Sequence, residues 1–468
     1  MAAQEEQAKS VWFRLAMWVT RHPLKVVVAV LVVMSPLSYY SSQLAYTVDQ
    51  NQLHARNVPA YDDWVRYRAA MPSGMTWPYA LIAQPAPNAT LDDAAEVVRR
   101  NNALIAELVV VTGIDARLWN GPTWLLGEPL NVTTALGYLI DTGSPLYNTP
   151  TGAYDRLRNY NCPHLSLSTK AIFTEIDTPF DPQGSEVEPF IKQLRAAFER
   201  HNDPELVTFH VALGLTEMVD VVDEVYNRMP MVMVVTVAVL LLVTALAFRS
   251  VVIALRLVFT LAVTLSWSFG SGVVVFQTTL MDWTGQSMAD VHALSWMAPV
   301  MTFSLILSLG CDYDIFITTR IREFRAMGFD DRAAVVKGYY RTGGVITTAG
   351  VIMIISFGSL MLSSQMLLVE CGFLLAWSVA LDTFVVRSLL VPGLMVLLGR
   401  ANWWPTRMPP GTKDEGCVDE ALGRAGAGAR DAGAADEHVA LAGVREERHG
   451  SYDEEPPSPE HHADVPTW

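Results

Sequence analysis

A run of about 20 apolar residues is long enough to cross the hydrocarbon core of a bilayer as a helix. Six stretches of this chain reach or approach that length: Val26 to Leu44, Met231 to Phe248, Val251 to Phe276, Leu294 to Ile317, Gly343 to Leu362 and Cys371 to Leu398. Apolar residues make up 51% of the chain and charged residues 17%, which already disfavours an ordinary soluble domain. The expectation is a polytopic α-helical membrane protein with six transmembrane helices. The first stretch runs into Ser and Tyr without a small-residue cleavage site, so it reads as a retained helix rather than a secretory signal.

The net charge of −15 lies largely in the C-terminal tail and between the first two spans, and does not point to nucleic acid. Of the cysteines Cys162, Cys311, Cys371 and Cys417, only Cys162 falls outside spans and tail, so no disulfide framework follows.

Orientation comes from Lys and Arg in short loops. Between the fourth and fifth spans, Arg320, Arg322, Arg325, Arg332, Lys337 and Arg341 outnumber Glu323, Asp330 and Asp331, whereas the turn between the third and fourth carries Asp282 and Asp290 with no cation. Arg14, Arg21, Lys25, Arg249 and Arg256 fall on the side of the basic loop, so both termini are expected in the cytoplasm. Residues 1–22 include Val11 to Trp18, which suits an amphipathic helix in the interface with indoles at headgroup depth. The alternative is a plain extension of the first span, residues 23–44.

Residues 45–229 are polar and long enough for a domain with its own core. Tyr79 to Ala83, Lys170 to Thr178 and Leu206 to Ala212 read as strands. Leu91 to Leu108 and Glu186 to His201 read as amphipathic helices, opened by Thr90 or Asp92 and by Ser185. That order suggests an α+β, split βαβ (ferredoxin-like) extracytoplasmic domain. Gly214 to Arg228 looks like a helix feeding the second span, interrupted at Pro230. Sequons at Asn88 and Asn131 both lie here, although such tripeptides also arise by chance.

An ionised side chain at mid-span costs roughly 2.5 to 3.5 kcal/mol, so intramembrane acids are functional candidates by default. Asp312 is deep in the fourth span, with Ser304 and Ser308 eight and four residues before it. That spacing makes one polar stripe, expected to face the bundle interior or a water path. Desolvation would let Asp312 load and release protons near neutral pH. Asp314 is nearer the cytoplasmic end, before Arg320 and Arg322, and suggests an interfacial structural role. Asp382 sits mid-span one turn after Ser378, as relay partner or structural group, and its spacing to Arg387 is poor for stacking on an α-helix. Thr347 and Thr348, with Gly343, Gly344 and Gly350, would permit close helix approach and offer hydroxyls near Asp312. Glu370 reads as an outer-interface residue without special role.

These residues carry a pattern. Gly310-x-Asp312-Tyr313 with Phe316 and Arg320-x-Arg322-Glu323, then Arg341-Thr342-Gly343 with Val345 to Ala349, follow in order. Leu381-Asp382-Thr383 with Val386-Arg387 and Leu390-Val391-Pro392 comes next, and Leu398 to Pro405 closes the set. Over residues 300–405 the chain resembles the MMPL transporters of the RND superfamily, with a looser match at Arg21-His22-Pro23. The resemblance implies an RND fold in which protons passing intramembrane Asp–Tyr pairs drive a porter domain that carries lipids or other hydrophobic molecules. Asp312 and Tyr313 would be the coupling residues. The energy source would be the proton gradient, with no cofactor. Ser308, Thr348, Asp382 and Arg387 are candidate partners or structural supports.

A complete family member has two such halves, about 12 spans, with Asp of one half near Tyr of the other. One set of spans implies a homodimer or a second half-chain, a shortened gene being the competing explanation. A non-transporting sterol or lipid sensor of the same superfamily is the alternative function. No HExxH, GxSxG or paired Cys and His signature supports an enzyme. The expected location is multi-pass, in the plasma membrane or an intracellular membrane. Residues 230–400 would hold spans two to six, and 401–468 an acidic disordered cytoplasmic tail. His449, His461 and His462 in that tail form no metal-ligand set.

Overall fold

The computed structural model describes residues 11–55, 58–71, 74, 77–88, 91–139, 171–278, 293–406, 408 and 410–411. Thr90, the Asp92 side chain, Cys162, Lys170, Asp282, Asp290, Cys417 and the tail from 412, with His449, His461 and His462, lie outside the described residues.

Six helical segments are long and apolar enough to cross a membrane: Pro23–Ser41, Thr216–Phe248, Val251–Phe276, Met297–Ala326, Asp331–Leu362 and Met366–Trp403. In chain order, α1 is Val11–Arg21 and α2 Pro23–Ser41 (span one). His22 breaks them apart: its φ of −130° is not helical, and Pro23 opens α2, as expected where a proline restricts the residue before it. α1 is therefore a helix of its own rather than an extension of span one. Phe13, Ala16, Met17 and Thr20 form its buried face, while Val11 and Trp18 are exposed.

After β1 (Tyr46–Thr47) and α3 (Pro59–Ala70) comes an extramembrane unit. It contains β2 (Tyr79–Pro85), α4 (Leu91–Thr112), β3 (Trp119–Asn120), a short hairpin β4 (Trp124–Leu125) with β5 (Glu128–Pro129), α5 (Val132–Leu139), β6 (Ile172–Ile176), α6 (Val187–His201) and β7 (Val207–Leu213). The main sheet is antiparallel, in the order β3-β6-β2-β7. In β6, Ile172, Thr174 and Ile176 are buried and Phe173 and Glu175 are not, the two-residue alternation of a strand with one covered face. Leu104, Ile105 and Leu108 of α4 and Ile191, Leu194 and Phe198 of α6 join Leu81, Trp119 and Phe209 in one core. Fully burying each large side chain of this kind contributes about 1.5 to 3 kcal/mol. β3 has only two residues, too short to leave a periodic signal. Ser185 does not cap α6: the capping position is Glu186, with no side-chain cap, and the entering chain is turned by Gly184 N donating to Asp181 O at 3.0 Å.

α7 (Thr216–Phe248) carries span two and is continuous through Pro230, so the expected interruption is absent. At 1.5 Å per residue it is about 50 Å long, some 20 Å more than a hydrocarbon core. Its N-terminal turn belongs to the domain, because Val219 and the preceding Leu215 lie in the core cluster of the sheet. Span three is α8 (Val251–Phe276). Arg249, in the left-handed region at φ 50°, turns the chain between them, and Ser250 caps α8 by accepting from Ile253 N.

β8 (Leu294–Ser295) precedes span four, α9 (Met297–Ala326). α10 (Asp331–Gly358) with a 3₁₀ turn to Leu362 makes span five. Span six is α11 (Met366–Leu381), a π-helical stretch over Asp382–Leu390, and α12 (Val391–Leu398). β8 pairs in parallel with β1, which ties the chain leaving span one to the chain entering span four. Tyr226 of α7 stacks on Tyr46 at 3.8 Å and donates to Trp296 O at 3.1 Å. Domain and bundle thus share a hydrogen-bonded junction.

Candidate functional site: charged groups among the spanning helices

Three acids sit in the middle of spans four and six, and their surroundings differ. Asp314 is only 5% exposed. Its Oδ2 accepts from Arg256 Nη2 of span three at 2.6 Å, and the same nitrogen donates to Thr318 Oγ1 at 2.9 Å. The structural role expected of Asp314 is therefore exercised inside the bundle rather than on an exposed face. α9 turns it inward onto a cation of the neighbouring helix, and Arg320 pairs instead with Glu323. Two opposite charges withdrawn together from water are tolerable only when paired and hydrogen-bonded; Arg256 and Thr318 meet part of that need, while Arg256 Nε and Nη1 and Asp314 Oδ1 have no hydrogen-bond partner among the described residues.

Asp382 is also buried and is bonded by Arg387 Nη2. Five residues separate them, a poor α-helical spacing, but the helix is π-helical from Asp382 to Leu390. In a π-helix the backbone repeats its bonds from i to i+5, which brings side chains five apart into register. The Ser388 hydroxyl shows the same step, donating to Thr383 O at 2.8 Å. The Arg387 guanidinium lies 4.2 Å from the centre of the Tyr313 ring, a cation–π distance. The Tyr313 hydroxyl donates to Met353 Sδ at 3.6 Å, and Tyr339 donates to Arg387 O at 2.7 Å. Tyr313, Arg387 and Asp382 thus form one connected group linking spans four, five and six.

Asp312 is not in that group. It is residue 16 of the 30 in α9, at mid-span, and its side chain is exposed. The stripe of Ser304, Ser308 and Asp312 exists as the spacing predicts, but it points away from the bundle, on a face shared with the exposed Met301, Leu305 and Phe316. The physical reason is that α9 turns its other side, with Phe303, Ile306, Leu307 and Cys311, into the apolar core. Thr348 on span five is exposed too, while Thr347 donates back to Gly343 O at 2.8 Å. Neither hydroxyl hydrogen-bonds Asp312. Two of the three glycines serve packing: a Cβ on Gly343 would lie 2.6 Å from Trp12 Cγ, and one on Gly350 2.7 Å from Thr383 Oγ1, whereas one on Gly344 would meet no described atom within 4 Å.

Glu370, expected to be idle at the outer interface, is fully buried and accepts from Ser295 N at 3.0 Å. It pins β8, and so the start of span four, to span six. Arg256 and Glu370 are the functional candidates that the sequence reading missed. Arg256 did leave a signal, a cation six residues into an apolar run, which is as anomalous as an acid there.

The sequence profile of the MMPL family matches residues 153–413, more than half of the 468 residues. The chain belongs to the MMPL family. Among MMPL proteins, it is 36% identical over 183 residues to the sulfolipid-1 exporter MmpL8 of Mycobacterium tuberculosis (strain ATCC 25618 / H37Rv), a stretch covering 39% of this chain and 16% of that protein. It is 36% identical over 193 residues to the acyltrehalose exporter MmpL10 of Mycobacterium tuberculosis (strain CDC 1551 / Oshkosh), covering 41% and 18%. Over 269 residues it is 30% identical to the probable transport protein MmpL10 of Mycobacterium leprae (strain TN), covering 54% and 26%. The MMPL chain described here matches well under two thirds of the length of these relatives. With its six apolar helices it is a multi-pass integral membrane protein.

Proposed function

We propose that the chain is a half-transporter: one six-span repeat that moves a lipid or other hydrophobic solute, driven by protons, in an assembly with a second repeat. The observation that carries this reading is the exposure of Asp312. A mid-span carboxylate on the outer face of a lone bundle would meet hydrocarbon, at roughly 2.5 to 3.5 kcal/mol. A second bundle laid over the Ser304, Ser308, Asp312 stripe would remove that penalty and supply a partner, whether from a second copy or a different half-chain. Asp312 would then load and release the proton, and Tyr313, braced by Arg387, would accept or donate across the interface.

In this reading the unit with sheet order β3-β6-β2-β7 is an extracytoplasmic ferredoxin-like porter domain. α7 and the β1–β8 junction carry movement between bundle and domain. The basic residues between spans four and five favour cytoplasmic termini. Lipid as cargo is supported by the relatives, which are named exporters of a sulfolipid and of acyltrehaloses.

The test is lipid flux in proteoliposomes under an imposed proton gradient. Asp312→Asn should abolish flux and the accompanying proton movement while leaving assembly intact. Normal transport by that variant would refute the assignment. Saturable lipid binding with no flux by the unaltered protein would favour a sensor instead.

A further inference from the structure

Between α1 and spans four, five and six runs a narrow cleft whose lining includes Trp12, Gly343, Thr347, Tyr339, Arg387 and Ser388. Of all its lining residues only Trp12 and Thr347 are half-buried; the others are buried. The mouth of the cleft is therefore at Trp12 and Thr347, and its floor is at Arg387. Thr347 lies six residues beyond the exposed Arg341 on α10, about 9 Å along the helix. The mouth is thus shallow, on the side of the membrane that carries α1.

The floor of the cleft has unmet hydrogen-bonding capacity. Arg387 uses Nη2 on Asp382, while Nε and Nη1, both buried, have no partner among the described residues. A buried guanidinium donor left unbonded costs more than an ordinary lost hydrogen bond. Tyr339, Thr347 and Ser388 donate their protons to backbone oxygens, which leaves their hydroxyl lone pairs to accept. The cleft is mostly apolar along its walls and has a volume of about 10 Å³, room for a single water, which needs two to four polar partners of this kind.

We propose that this cleft is a water-holding inlet that ends on Arg387 and is narrowed at its mouth by the Trp12 indole. A water there would bond the free Arg387 donors of the Arg387–Asp382–Tyr313 group, directly beneath the mouth beside α1. As a limb of a proton path the inlet rests on the function proposed above; as a hydrated cleft it does not. Gly343 is part of the device, since any side chain there would collide with Trp12.

Radiolytic hydroxyl-radical footprinting of the full chain in lipid nanodiscs tests the inlet, because radicals made from bound water oxidise only adjacent side chains. Tyr339 and Trp267 are equally buried, at 4% and 1% exposure, but Trp267 does not line the cleft. Tyr339 should be oxidised several-fold faster than Trp267, although indole is intrinsically the more reactive ring. Equal inertness of the two would overturn the inlet. In Trp12→Ala, Tyr339 oxidation should rise several-fold further with Trp267 unchanged; an unchanged Tyr339 would remove Trp12 from the mouth. Loss of the Asp312 assignment in flux assays would leave the footprint in place, so the two ideas fail separately.

Discussion

Asp312 and Asp314 stand two residues apart on span four and meet opposite surroundings. Asp314 is enclosed and answered within the chain by Arg256, which Thr318 also holds; Asp312 faces outward with no hydrogen-bond or ionic partner among the described residues. An acid whose charge is matched at 2.6 Å in the interior behaves as part of the scaffold. One at the same depth on an open face needs something from outside the bundle. The difference separates what holds this bundle together from what it offers to a partner.

The largest expected effect comes from breaking an inner pair on one side only. Arg256→Met leaves Asp314 buried and unanswered, and should lower stability by roughly 3 to 5 kcal/mol, read as a drop in the unfolding midpoint in detergent. The double change Arg256→Met, Asp314→Leu should recover most of that loss, because an apolar pair of similar volume is close to neutral. If the single and double variants are equally damaged, the pair is not the scaffold element described.

Removal of Glu370 should come next. Glu370→Ala withdraws the acceptor from Ser295 N and should cost roughly 1 to 3 kcal/mol, with faster amide exchange across β8. Glu370→Gln keeps an acceptor oxygen and should cost less.

Asp312→Asn, by contrast, should not lower the unfolding midpoint of the chain, because it removes a mid-span charge that no described group answers, even though it is expected to stop flux. A large loss of stability there would mean that Asp312 serves the fold and would erase the contrast with Asp314.

The smallest effect lies outside the membrane. Burial, with the nearby Asp177 carboxylate second, pushes the Glu175 carboxyl above its ordinary range. A raised acid favours the folded state at low pH, and that contribution is lost as pH rises from the unfolded value through the folded one. Glu175→Gln should therefore stabilise the domain modestly at neutral pH and make no difference in acid, measured as unfolding midpoint against pH.

How much of this was legible in the sequence depends on the kind of interaction. The spans were readable because apolar runs of bilayer length have few other uses. The sheet and two helices were readable because their covered faces repeat at two residues and at 3.6. The Ser304, Ser308, Asp312 stripe was also readable, but not its direction, since periodicity aligns side chains without saying which side meets a neighbour. The Asp382–Arg387 pair was hidden because its spacing fits only the π-helical backbone that forms there. The partnership of Arg256 with Asp314 was hidden for a different reason: 58 residues separate them, and no local rule joins them. Glu370 looked idle because it accepts from a backbone N–H of β8, 75 residues away.

The outward face of span four can be tested most directly by the mass of the assembly extracted in native-like lipid, read by native mass spectrometry with Ser308→Cys cross-linking alongside. Two six-span bundles per particle, cross-linked through position 308, are the predicted result. A particle holding a single six-span bundle that still transports lipid, with Asp312 against the acyl chains, would contradict the account.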